Sequence, residues 1–80
     1  MSMDVEKKIK SVMSSVFDIP IEHIDENSSH ETIENWDSLR QMNLVLALEE
    51  EFSITFNENE IIDLENFKLI RITIKEKLNI

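Results

Sequence analysis

The 80-residue chain has no cysteine, no glycine and a single proline. Without cysteine there is no disulfide scaffold, no thiol nucleophile and no thiolate-ligated zinc site. Any thiol chemistry must arrive on an added group. Without glycine, the common phosphate-cradling loops and the dinucleotide fingerprint are excluded. Tight hairpin turns of the Asn-Gly or Asp-Gly kind are missing as well, which argues against an all-β fold. Long apolar runs are also absent. The longest is residues 44–48, far short of a membrane span, and the opening residues Met1, Ser2, Met3 and Asp4 carry no signal-peptide pattern. The expectation is a cytoplasmic protein with no membrane insertion.

What is present is a hydrophobic fraction of 41% beside a charged fraction of 31%. That is enough aliphatic content for one small core and too much for a disordered tail, so residues 1–80 are expected to form a single domain. The net charge is −9 and unevenly spread. Between Asp18 and Glu65, fourteen acids face one base, Arg40, for a local charge of −13, while the first seventeen residues sum to +1 and the last fifteen to +3. Such a band repels nucleic acid and anionic membranes and suits proteins with basic patches. A monomer is the default for this charge.

Val5, Ile9, Val12, Met13 and Val16 recur at helical spacing and predict an amphipathic helix from about Asp4 to Phe17. Pro20 punctuates the chain and biases Ile19 away from helix. Residues 18–37 form a polar stretch that an ordered loop would pin to the core through Ile19, Ile21, Ile24 and Ile33. A second helix is predicted from Leu39 to about Phe52, marked by Met42, Leu46 and Phe52 with Val45 and Leu48 beside them. A short helix follows over residues 58–62, capped by Asn57, and a last one carries Phe67, Ile70, Ile74 and Leu78. Lys75 and Lys77 suit its C-terminal dipole. Residues 70–74 alternate like a strand, but a lone strand would lack a partner. The predicted fold is all-α: a small antiparallel bundle of three main helices and one short one, with a long ordered loop between the first two.

Few residues in this pattern offer chemistry. His23 and His30 lie in the loop at a spacing that matches no metal-ligand pattern. Residues 25–36 place oxygen donors as a calcium loop does, but His30 stands where glycine is required and Trp36 where a bidentate glutamate is required. A serine hydrolase built on Ser38 would need a positioned histidine and an oxyanion hole, and no nucleophile-elbow glycines exist. Asp37 or Ser38 is a natural N-cap for the second helix, and Ser38 with Gln41 spells a capping box.

Asp37, Ser38 and Leu39, followed by the acidic run Glu49, Glu50, Glu51 before Phe52, and then Ile54 and Phe56, resemble the acyl carrier protein family. The order of parts agrees from about Val5 to Leu78. The resemblance implies a carrier rather than an enzyme. Ser38 would receive a covalent 4′-phosphopantetheine from coenzyme A through a phosphopantetheinyl transferase, and the arm's thiol would bear acyl or aminoacyl groups as thioesters. Asp37 and Leu39 would be the neighbours the transferase reads, and Glu49, Glu50 and Glu51 would steer basic acyl-loading and acyl-transfer enzymes. Two features depart from the family pattern. Trp36 precedes the motif where the family usually has glycine, so the loop must approach with a different backbone angle or packing. Arg40 and Asn43 stand where fatty-acid members carry acids, which points to a specialised pathway. The other reading is an unmodified acidic adaptor in which Ser38 is only a cap.

Overall fold

The computed structural model describes residues 2–80, and Met1 lies outside them. Four α-helices follow in order: α1 (Ser2–Phe17), α2 (Ser38–Phe52), α3 (Glu58–Asp63) and α4 (Phe67–Leu78). No strand occurs among the described residues, and 70–74 is helical as the lack of a partner strand requires. The α1 helix packs against both α2 and α4.

The core is one apolar cluster to which every main helix contributes. Val5, Ile9, Met13 and Phe17 come from α1, Leu44, Val45 and Leu48 from α2, and Phe67, Ile70 and Ile74 from α4. Phe56 and Leu64, which flank α3, join it, as do Ile24, Ile33 and Trp36 from the loop between α1 and α2. Spacings of three and four place each set on one helix face. The buried stripe of α2 differs from the one the sequence suggests. Met42 and Leu46 are 47% and 58% exposed, and it is Leu44 that reaches full burial with Val45 and Leu48.

The connection from α1 to α2 is ordered by several anchors rather than by its isoleucines alone. Ile24 and Ile33 are buried and Ile19 packs against the cluster, but Ile21 sits on a single 3₁₀ turn (Ile21–His23) and points outward, 41% exposed. Backbone bonds from Phe67 N–H to Ser28 O (2.9 Å) and from His30 N–H to Glu65 O (3.3 Å) fasten the loop to the start of α4. The Ser28 hydroxyl is buried and accepts from Asp25 N–H at 2.9 Å, so no polar side-chain atom is stranded there.

A chain without glycine must turn its helix ends with other residues. Asp18, Ser53 and Asn79, each directly after a helix, adopt left-handed backbone angles with φ of 56°, 55° and 60°. The α3 helix begins with a full capping box: Asn57 accepts from Glu60 N–H and the Glu60 carboxylate accepts from Asn57 N–H. Glu60 also pairs with Lys77 at 2.8 Å, and these two partners hold its carboxyl below the usual glutamate range. Arg71 clasps Glu6 (2.6 Å) and Glu26 (2.7 Å), tying α4 to α1 and to the loop. Its guanidinium depresses the Glu26 carboxyl, and the two carboxylates in turn raise Arg71.

Candidate functional site

The motif Asp37, Ser38 and Leu39 lies where the long loop becomes α2. Asp37 takes the N-cap role with extended angles (φ −107°, ψ −176°), and its carboxylate accepts from Arg40 N–H at 2.8 Å. Its carbonyl accepts from Gln41 N–H, also at 2.8 Å. The Ser38–Gln41 capping box suggested by the sequence does not form. Ser38 is already the first helical residue, and the Gln41 side chain turns toward α3 instead. Ser38 is exposed, and the N–H groups of Ser38 and Leu39 have no partner among the described residues. An exposed hydroxyl therefore stands beside two unengaged amides at the positive end of a helix, where an anion is stabilised.

The loop end that presents Ser38 is fastened on both sides. Toward α1, Asn35 Nδ2–H donates to Phe17 O (3.0 Å), and Arg40 Nη1–H donates to Val16 O (3.5 Å). Both contacts satisfy carbonyls at a helix C-terminus, where a cation is also favoured. The Trp36 ring packs 4.8 Å from the Phe17 ring and is 8% exposed. Trp36 is not among the residues with positive φ. Packing, and not an unusual backbone angle, is thus how tryptophan is accommodated before the motif. Toward α3, Gln41 accepts from Trp36 Nε1–H and donates to Ile61 O (3.1 Å) and Leu64 O (3.2 Å).

The expected partner-binding residues separate into distinct roles. Asn43, Glu50 and Glu51 are exposed on α2. Glu49 is not free in the same way: its Oε2 accepts from Phe56 N–H at 2.8 Å and ties the end of α2 to the segment before α3. Arg40 is partly covered and engaged with α1. An apolar stripe on the outer face of α2, not expected from the sequence, is formed by Leu39 (71% exposed), Met42 and Leu46. Spacings of three and four put them in line. Ile62 of α3, 70% exposed, stands across a groove of about 490 Å³ from Met42, and Ser38 lines the same groove. The signal was available, since α2 has more apolar residues than one buried face can take.

His30 also lines this groove, but no hydrogen bond joins it to Ser38 among the described residues. No cluster of three potential metal ligands occurs among them either. Among the described residues, no helix is long and apolar enough to cross a membrane.

Residues 7–70 match the family model described as "Phosphopantetheine attachment site". The acyl carrier protein of Buchnera aphidicola subsp. Schizaphis graminum (strain Sg) is 39% identical over 57 residues, covering 71% of this chain and 72% of that protein. The solution structure of a holo acyl carrier protein from Geobacter metallireducens superposes with a TM-score of 0.83 at 28% identity, covering 94% of this chain and 86% of that one. The site's chemistry suits the group these matches share, because an exposed hydroxyl at a helix start can carry a phosphodiester and the chain has no thiol of its own. On its sequence, its helical architecture and the geometry of this helix start, the chain belongs to the acyl carrier protein family, carriers of acyl groups on a covalently attached 4′-phosphopantetheine.

Proposed function

We propose that Ser38 bears the 4′-phosphopantetheine arm, transferred from coenzyme A by a separate phosphopantetheinyl transferase, and that residues 1–80 work as one monomeric carrier domain. The observation that carries this reading is the exposed Ser38 hydroxyl at the start of α2, beside two unengaged backbone amides. When bound, the arm supplies the thiol on which acyl groups ride as thioesters. The protein's own residues present it. Asp37 fixes the helix end, leaving the Ser38 and Leu39 amides free to face a phosphodiester. Leu39 projects beside the serine and offers the transferase an apolar contact.

The outer face of α2 is the docking surface for the transferase and for acyl-loading and acyl-transfer enzymes. Leu39, Met42 and Leu46 supply apolar contacts, and Glu50 and Glu51 attract basic patches. Asn43 lies on this face as a neutral amide, with Arg40 at its edge. A fatty-acid elongation enzyme with a basic docking patch would find no carboxylate at either position, which supports service in a specialised pathway.

Intact mass after incubation with coenzyme A and a broad-specificity transferase tests the attachment. One arm should be gained by the unaltered protein and none by Ser38→Ala. A folded, unaltered protein that gains nothing with several transferases would instead be an unmodified adaptor. The pathway half is tested with purified elongation enzymes. The modified protein should be a poor substrate, and Asn43→Glu should improve it severalfold, since one restored surface contact is worth about 1 kcal/mol at most. Turnover of the unaltered protein at the level of a housekeeping carrier would show the specialised reading to be wrong.

A further inference from the structure

An acyl group tethered to Ser38 is drawn toward apolar surroundings, because each methylene removed from water is stabilised. The nearest way into the core is the seam between α2 and α3, at the floor of the groove that Ser38 lines with Trp36, Met42, Ile61 and Ile62. Leu64 also lines the groove and belongs to the same core cluster as Leu44 and Leu48, each at most 1% exposed.

Gln41 stands in this seam. It follows the same helix face as Leu44, Val45 and Leu48, where a hydrophobic residue would continue the core stripe. Its amide is instead fully committed. The Nε2 group donates to Ile61 O and Leu64 O, and Oε1 accepts the Trp36 indole N–H. Both carbonyls lie at the end of α3: Ile61 O already accepts the Leu64 N–H at 3.2 Å, while Leu64 O, just beyond the helix, has Gln41 as its hydrogen-bond donor among the described residues. Trp36 is held from its other side by Phe17. An acyl chain entering the seam would have to displace Gln41, leaving the Trp36 indole N–H and the Leu64 carbonyl without partners, and Ile61 O with only the Leu64 N–H, in a partly dry site. That penalty opposes the gain from burying the chain.

We infer that Gln41 latches the α2–α3 seam and is a specificity-determining residue for the cargo. The acyl group on Ser38 stays in the open groove outside the core, and the protein is suited to short or polar acyl groups rather than long aliphatic ones. This rests on the attachment of the arm at Ser38.

The test compares the unaltered protein with Gln41→Met, a substitution of similar length that removes both donor and acceptor. Each is armed, the position of the arm is mapped to Ser38, and each is loaded with a butyryl or an octanoyl group. Thioester cleavage by hydroxylamine reads protection. In the unaltered protein the two chain lengths should be cleaved at rates within about twofold of each other. In Gln41→Met the octanoyl thioester should become at least about tenfold slower than the butyryl one, since its extra methylenes gain access to the core. Strong octanoyl protection in the unaltered protein overturns the inference, as does the absence of any chain-length dependence in a folded variant. Should Gln41→Met not fold, methyl NMR of the core residues Leu44 and Leu48 in the unaltered protein decides. Identical spectra with the two cargoes support the latch, and an octanoyl-specific shift refutes it. A missing arm at Ser38 overturns this inference together with the attachment reading. Octanoyl protection on a mapped Ser38 arm overturns this inference alone.

Discussion

Replacing Ser38 with alanine removes an exposed hydroxyl that makes no hydrogen bond among the described residues, while Asp37→Ala removes the N-cap itself. Ser38→Ala should therefore melt within about 2 °C of the unaltered protein. Asp37→Ala should lose about 1 kcal/mol, or about 4–8 °C in a domain of this size. The two thermal melts check it. From the sequence, either residue could have been the cap, because both are good cap formers and their order alone does not choose. The same gap between residue type and environment separates the three consecutive glutamates. Glu49 accepts a backbone N–H, so Glu49→Lys should destabilise by about 1–3 kcal/mol. Glu50→Lys with Glu51→Lys should leave stability nearly unchanged and slow association with the transferase at low salt. The difference should shrink as salt screens the charges. Stopped-flow association at two ionic strengths distinguishes them.

At the scale of the helix, periodicity made α1 and α4 legible through their buried sets, Val5, Ile9, Met13 and Phe17 and then Phe67, Ile70 and Ile74, and the Asn57 cap marked α3. The α2 helix starts at Ser38, one residue before the predicted Leu39, and its two apolar faces are not separable from the sequence, since Leu39, Met42 and Leu46 are as hydrophobic as the buried Leu44, Val45 and Leu48. Hydrophobicity alone does not say which of two stripes faces the core. Gln41 was hidden for the opposite reason: a polar residue on the buried side looks like a surface residue until the α3 carbonyls are placed beside it. The absence of glycine leaves its mark at helix ends. Ser53 closes α2 with φ 55° and ψ 47°, a conformation that costs a non-glycine residue about 1 kcal/mol. Ser53→Gly should raise stability by about 0.5 kcal/mol after the extra freedom of the unfolded chain is set against the relieved strain. Chemical denaturation should show a higher midpoint with an unchanged slope.

The whole molecule is a compact bundle with a radius of gyration of 11.4 Å, carrying a central charge of −13 between more basic ends. That asymmetry was plain in the sequence; the fastening of the acidic loop by Arg71 and of α3 by Lys77 was not, because the partners lie far apart along the chain. Glu26 and Glu60 are held below the usual glutamate range in the folded state. Their contribution is therefore present above the ordinary glutamate pKa and is lost as pH falls through that range into the depressed folded values. Melts in high salt, which screens the overall repulsion, should show Tm falling as pH is lowered below about 4.5. Glu60→Gln should fall less steeply.

Carrier function depends on which atom of this molecule takes the arm. The chain offers several serines, among them the buried Ser28 and the exposed Ser53, but only Ser38 combines an exposed hydroxyl with the free amides at the start of α2. Fragmentation mass spectrometry of the transferase-treated protein reads the attachment directly. A single arm mapped to Ser38, and none in Ser38→Ala, is the expected result. An arm on Ser28, Ser29 or Ser53, or no arm on the folded protein, would contradict it.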